Sequence, residues 1–475
     1  MKSLSLNAFL NTIRNILNMV FPIITFPYVS RILGAHNLGI YNFSNTYVNY
    51  FLLLAALGIN TYAIREGAKY RDNREEINKF VGQIFSINLV ATVISYLLLA
   101  STLILFYELK MYAICIIVFS IQIIFTTIGV EWIYSIYEDY AYITIRSIVF
   151  KILSIILLFI FVKKPDDYLI YAGITVFASI GSNILNYIHI NKFCDLKFTL
   201  NMHIKEHIKP ILIIFASNIA IMIYVNSDIT ILGLMKSAYI VGIYTVSTKI
   251  YSVLKTVLSS ALIVTVPRLS MLFGKKKWDE YQKVASYVFN LLLMLTLPTT
   301  AGLIATSKNV IILMAGEKYA SATCSLQLLS IAIIFSIFSW FYNDCILIPA
   351  KNEKIVLYST IFSAILNILL NILLIPTFSL NAAAFSTIIA ELVGMIISVH
   401  FGRKVITIQN LKHSFFTVII ASSFVYIVAI LPNFLFSMNA LLSLIVSAIL
   451  SLITYVFILV FLKNEIMLSI LKRKL

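Results

Sequence analysis

Charge is scarce in this sequence. Only 12% of its 475 residues are Asp, Glu, Lys or Arg, against 60% hydrophobic residues and a mean hydropathy of +0.96. So few charges cannot coat a soluble globule, and the soluble classes drop out. Cysteine is sparse as well. Cys115, Cys194, Cys324 and Cys345 lie far apart, and three of them fall in apolar runs, which excludes a disulfide framework or a zinc spacing. His203 and His207 stand i,i+4 at a helix entrance without further ligands, so no metal site is expected. No Walker A loop or glycine-rich nucleotide fingerprint occurs, which argues against an ATP-driven pump in one chain. No loop is long enough to house a soluble domain or a large external catalytic segment. The first apolar run lacks the short core and small-residue cleavage site of a signal peptide, and no cleaved leader is expected. No cofactor is expected.

What the sequence holds in abundance is long apolar runs, the length at which a helix spans a bilayer. Fourteen are found, at about 7–30, 41–64, 80–106, 111–133, 140–162, 168–191, 210–232, 239–263, 284–306, 323–349, 355–375, 381–401, 413–431 and 440–462. The predicted class is all-α integral membrane. An even number of spans places both termini on one side. Of the 36 Lys and Arg residues, 24 fall on the side of the termini, 7 on the other side and 5 within spans. Positive loops stay inside, so both termini are expected in the cytoplasm of a multi-pass protein. The formal charge of +16 is then a topology signal, and nucleic acid is not needed to explain it.

A repeat divides the chain. Ile32-Leu33-Gly34 is followed after four residues by Gly39-Ile40-Tyr41, and Ile231-Leu232-Gly233 after eight by Gly242-Ile243-Tyr244. Each copy lies between the first and second spans of a six-span block. Parallel repeats of this kind place a substrate path between halves. The expected divisions are 1–200, 201–405 and 406–475, the last holding spans 13 and 14, whose apolar cores are free of charge and suit a lipid-facing position.

Polar residues inside the spans are not scattered. At 100° per residue, Asn7, Asn11, Arg14, Asn15, Asn18 and Thr25 share an arc of about 100° on the first helix. Pro22 and Pro27 are expected to bend its outer half. In span 8, Thr245, Lys249, Ser252, Thr256 and Ser260 share a face; in span 5, Thr144, Ser147, Lys151 and Ser154 do so. Hydrocarbon cannot satisfy amides or cations, so such stripes face protein or water. Arg14, Lys249 and Lys151 are the candidate anion ligands, with Asn7, Asn11, Asn15 and Asn18 as polar contacts. Lys255 and Arg146 project from other faces and are read as snorkelling. Glu131, Asp228, Asp344 and Glu391 are the internal acids. Glu391, on a face with Thr387, Gly394 and Ser398, is read as a lysine counter-ion or an ion-coupling group; Asp228 is a second coupling candidate.

The segment "EWIYSIYEDYAYITIRSIVFKILSIILLFIFVKKPDDY", from Glu131, resembles the polysaccharide repeat-unit (Wzx-type) flippases of the multidrug/oligosaccharidyl-lipid/polysaccharide exporter superfamily. "FPIITFPYVSRILGAHNLGIYNF" and "LMAGEKYASATCSLQLLSIAIIF" are similar too, and with the fourteen-span plan the likeness covers nearly the whole chain. The resemblance implies two six-helix lobes in a V with two further helices, alternating access, and a cargo of oligosaccharide linked through pyrophosphate to undecaprenol. Related lipid II flippases hold pyrophosphate with cations of their first and eighth helices, where Arg14 and Lys249 stand here, and use the last two helices for a lipid-tail groove. A lysine in span 8 supplies a point charge where an arginine would give a bidentate clamp. The implied partners are the lipid-linked oligosaccharide, membrane lipids, and a polysaccharide polymerase with its chain-length machinery.

Two rivals predict different residues. A drug/cation antiporter of the same superfamily predicts dominant mid-membrane acids, whereas cations exceed acids in the central stripes. A membrane glycan polymerase, ligase or acyltransferase predicts a clustered acid/base or nucleophile site, usually with a large loop. Neither pattern is present.

Overall fold

The computed structural model describes the backbone of residues 4–435 and 439–472, and the side chains of residues 21–260, 262, 265–432 and 439–471. The described residues form helices throughout: α1 Leu4–Ala56, α2 Ile59–Gly67, α3 Arg74–Leu105, α4 Ala113–Gly129, α5 Glu131–Ile136, α6 Tyr140–Phe161, α7 Tyr168–His189, α8 Ile204–Met235, α9 Ala238–Gly274, α10 Trp278–Ala315, α11 Thr323–Trp340, α12 Glu353–Gly402, α13 Leu411–Leu435, α14 Ala440–Phe461 and α15 Glu465–Lys472. Among the described residues, eleven helical segments are long and apolar enough to cross a membrane, or twelve if the bent α9 is one span. The chain is an all-α, multi-pass membrane protein.

Two helices are double. At 1.5 Å per residue, 50 residues extend about 75 Å, more than twice a hydrocarbon core of about 30 Å. Both α1, with 53 residues, and α12, with 50, leave helical geometry once near the middle. The breaks are at Gly34 (φ 70°) and Ser379 (φ 53°). Each helix is long enough to hold two membrane-length segments, one on either side of its break. In α1 the non-helical residue is Gly34, while Pro22 and Pro27 sit within the helical run.

Helix starts follow local chemistry. Asn73 caps α3, its side chain accepting from the backbone of Glu75 at 3.0 Å and Glu76 at 3.4 Å, and the two glutamates favour the positive helix end. Asn439 caps α14 by accepting from the Leu442 N–H at 2.9 Å. Leu452, Phe457 and Phe461 of α14 are exposed, as a helix with a lipid-facing side requires.

The chain divides into two compact units, Met1–Gly242 and Ile243–Leu475. The first has a core of Ile77, Val81, Ile84, Trp132 and Ile133, with Ile211 of α8 packed into it. His207 at the edge of that core is buried, its Nδ1 bonded to the Tyr62 hydroxyl at 2.8 Å and its Nε2 to Gln83 Oε1 at 3.1 Å. Both ring nitrogens therefore serve packing. His203 lies 3.3 Å from Glu206.

The repeat has a structural meaning within this first unit. A Cβ on Gly39 would overlap the carbonyl oxygen of Ala238, and a Cβ on Gly242 would overlap that of Ala35. Each alanine stands four residues before the glycine of its own copy, so two Ala-x-x-x-Gly stretches cross reciprocally, backbone on backbone. The unequal spacers also find their reason. The first copy turns on Gly34 alone, in the left-handed region, whereas the second runs its helix on to Met235 and turns through extended Lys236.

In the second unit, Ser247 Oγ bonds Ser325 Oγ at 2.8 Å, and Phe289 packs tilted against Phe338 and edge-on to Phe341 with centroids 4.8 and 5.3 Å away. A π-helical turn, Phe341–Leu347, follows α11 and carries half-buried Asp344. Such turns recur at functional sites.

Candidate functional site: a cationic stripe, a buried ion pair and an apolar groove

On α9 four of the five expected polar residues emerge together. Lys249, Ser252, Thr256 and Ser260 are exposed, and Thr245 is buried. The hydroxyls of Ser252 and Thr256 donate to carbonyls four residues back, Thr248 at 2.7 Å and Ser252 at 2.8 Å, so the helix satisfies them itself. Lys249 has no such local acceptor. It lies 11 residues from the helix start, about 16 Å along the axis. An exposed ammonium at that depth needs water or an anion, since lipid offers neither.

Nearly two turns further, Lys255 points to protein. Its Nζ lies 3.0 Å from Glu391 Oε1 of α12 and 3.4 Å from the Tyr251 hydroxyl, which itself donates to Glu391 at 3.2 Å. The rings of Tyr251 and Trp340 flank the ammonium at 5.5 and 5.8 Å. The snorkelling expected of Lys255 is thus corrected: a carboxylate 136 residues downstream holds its head group in the protein. Glu391 is the counter-ion of Lys255 and not of Lys249. Around it, Gly394 leaves room beside the hydroxyls of Ser363 and Ser339, and Ser398 Oγ donates to Asn343 Oδ1 at 2.8 Å.

Arg146 is corrected in the same way. It is 4% exposed, with its guanidinium 3.9 Å from Glu131 and over the Tyr142 ring at 5.5 Å. Lys151 is half-buried on α6, beside buried Thr144 and Ser154 and half-buried Ser147. Asp228 is buried in α8, two residues before Thr230, whose hydroxyl meets that of Tyr50 at 3.0 Å. Arg14, Asn7, Asn11, Asn15 and Asn18 lie outside the described side chains; Thr25 of the same stripe is buried and donates to the Phe21 carbonyl at 3.0 Å.

Also in the second unit is an apolar groove of about 460 Å³. Met294, Pro298 and Gly302 of α10, Val425 of α13, and Leu452 and Tyr455 of α14 line it. Tyr455 spends its hydroxyl on the Met294 carbonyl at 2.6 Å, which leaves its ring as wall. Sequence reasoning expected a groove from α13 and α14 only through the family resemblance; the share of α10 was missed, because no residue pattern marks it.

Comparison with known proteins agrees with this architecture. The family model "Polysaccharide biosynthesis protein" matches residues 4–273, and the MatE model matches residues 214–373. A candidate O-antigen transporter of Escherichia coli strain K12 is 27% identical over 255 residues, which is 53% of this chain and 61% of that protein's length. A candidate O-antigen transporter of Shigella dysenteriae is 24% identical over 74% of this chain and 88% of its own. Among solved structures, the lipid II flippase MurJ in an inward closed conformation superposes with a TM-score of 0.74 at 17% identity, covering 97% of this chain and 99% of MurJ. A transporter of the same superfamily from Pyrococcus furiosus gives 0.51 at 16% identity, covering 84% and 92%. With more than half its length matched by one family model, the chain belongs to the polysaccharide biosynthesis protein family, and it shares its fold with these transporters.

Proposed function

We propose that this protein carries undecaprenyl-pyrophosphate-linked oligosaccharide from the cytoplasmic to the outer leaflet of a bacterial plasma membrane, for O-antigen, capsule or exopolysaccharide synthesis. One observation carries the reading. A single unit presents an exposed lysine stripe at membrane depth and, separately, an apolar groove between α10, α13 and α14. A cargo with an anionic, hydroxylated head and a polyprenyl tail needs both. Sugars and pyrophosphate cannot cross hydrocarbon without losing water hydrogen bonds, so a wet cationic path lowers the barrier while the tail stays in an apolar channel. Lys249, Arg14 and Lys151 hold pyrophosphate in this reading, and the asparagines of the first helix contact phosphate or sugar. Asp228 remains the candidate coupling group. Fourteen passes, lobes at 1–200 and 201–405 with a tail at 406–475, and cytoplasmic termini belong to the same proposal, as does delivery to a polymerase with its chain-length machinery. No covalent step is involved, so the protein is not an enzyme.

The MatE match favours one second reading, a drug or cation antiporter. The deepest acid argues against it, because Glu391 already pairs with Lys255.

The test is flipping by purified protein in vesicles. Labelled lipid-linked oligosaccharide should reach the far leaflet chemically unchanged. Lys249→Gln should lower the initial rate at least tenfold and Lys249→Arg should keep most of it; equal rates for the glutamine variant would remove Lys249 from the head-group site. An inside-negative potential adds about 2.3 kcal/mol per charge per 100 mV to outward movement of an anion, so clamping the voltage at zero should slow transport. Unchanged transport at zero voltage, with loss on removing an ion gradient, would replace potential drive with antiport.

Orientation has its own reporter. Cys324 is exposed at the start of α11, and the other three cysteines are buried. A membrane-impermeant maleimide should label spheroplasts through Cys324, and Cys324→Ala should abolish the signal. Labelling only after lysis would reverse the topology.

A further inference from the structure

The first unit holds a second cavity, of about 280 Å³, that no part of the transport path described above uses. It opens where α4 ends and α5 begins. The joint is strained: Val130 stands at φ 35° and ψ 44°, a left-handed conformation that a β-branched residue rarely adopts. Gly129 before it cannot be enlarged, since a Cβ there would lie 2.6 Å from Asn183. Strain held by surrounding structure is concentrated at binding sites. Here it ends α4 and sets the next two residues, Glu131 and Trp132, into the cavity wall.

The wall has two characters. Leu52, Ala55, Ile59 and Ile123 form an apolar side; Asn60, Asn88, Thr126 and Glu131 supply polar groups. Asn88 gives its amide N–H to the Ala55 carbonyl at 2.7 Å, which leaves its Oδ1 as an acceptor. Asn60 and Thr126 are exposed. The indole N–H of buried Trp132 has no acceptor among the described residues. The Glu131 charge is offset by Arg146 at 3.9 Å, so a cation finds no net negative site, and no cluster of metal ligands occurs among the described residues. A neutral ligand with one apolar face and a rim of hydroxyls matches this wall. The volume lies just below the usual range of ligand pockets, about 300–1,000 Å³, which limits the ligand to about one ring.

We propose that this cavity is a carbohydrate subsite for a single neutral or N-acetylated pyranose, with Asn60, Asn88, Thr126 and Glu131 bonding its hydroxyls and the Trp132 side packing its ring. The inference deepens the flippase reading by naming where the chain grips one sugar of its cargo. It also explains why a strained turn, an amide and an indole meet at one cavity.

The chain has three tryptophans, so Trp278→Phe with Trp340→Phe leaves Trp132 as the fluorophore. This variant in detergent is titrated with methyl glycosides of glucose, galactose, N-acetylglucosamine, N-acetylgalactosamine and glucuronic acid. At least one neutral or N-acetylated glycoside should give a saturable change in Trp132 emission. Asn60→Ala and Thr126→Ala, both at exposed residues and checked for unchanged thermal unfolding, should weaken it at least fivefold. A protein keeping only Trp278 should give none. Silence across the panel, equal affinity in both variants, or saturation by the glucuronide alone overturns the proposal. The assay needs no transport. Flipping with a silent Trp132 sinks the subsite alone, and a responsive Trp132 without flipping sinks the transport reading alone.

Discussion

Glu391→Leu should destabilise the protein by about 3 kcal/mol, the low end of the range for breaking a buried ion pair. The side chain of Glu391 is 9% exposed and that of Lys255 26%, so the abandoned ammonium retains only partial solvation. The Tyr251 hydroxyl loses its acceptor in the same change. Lys255→Met leaves the complementary fault, a buried carboxylate, and should be similarly damaging. Combining the two removes both charges and their desolvation, and the double variant should unfold within about 1 kcal/mol of the parent. Thermal unfolding of the four proteins in one detergent measures the cycle. Additive losses would mean that the pair is not an energetic unit.

An effect of the same size is expected at the repeat. Gly39→Leu and Gly242→Leu each place side-chain atoms where the carbonyl of Ala238 or Ala35 stands. A flexible side chain could turn away, but a helix backbone cannot, so each change should cost about 3 kcal/mol or more, the upper part of the range for overpacking. Gly173 provides the control. A Cβ there meets nothing within 4 Å, and Gly173→Ala in α7 should be neutral or stabilising by up to about 1 kcal/mol. Yield of monodisperse protein and its unfolding temperature decide. Normal stability of Gly39→Leu would contradict the close crossing.

Which features were legible in the sequence follows from how far apart the interacting groups are. The α9 stripe was readable because 100° per residue fixes which side chains share a helix face, and Lys249, Ser252, Thr256 and Ser260 do emerge together. The same rule misplaced Lys255 and Arg146, since it knows nothing of the other helices. Their partners, Glu391 and Glu131, are decided by tertiary packing. Several other buried or half-buried hydroxyls are satisfied within their own helices. Ser86, Ser307, Ser330 and Thr387 each donate to a carbonyl four residues back, so their helices stay compatible with apolar neighbours. The repeated Gly-Ile-Tyr was visible as a pattern, but the reciprocal crossing of its glycines needed coordinates. The strained Val130 left no trace in the sequence, because a valine there looks like any apolar span residue.

The Lys255–Glu391 pair has a consequence for biogenesis. A nascent α9 enters the bilayer bearing two lysines, each opposed by about 2.5–3.5 kcal/mol at a helix centre. The carboxylate that neutralises one of them has not yet been translated; it follows 136 residues later. At about 5–20 residues per second that delay is roughly 7–27 s. During it the segment must linger beside the translocon, dip its cations toward a headgroup, or borrow a chaperone's polar groove, and only the arrival of α12 lets it settle.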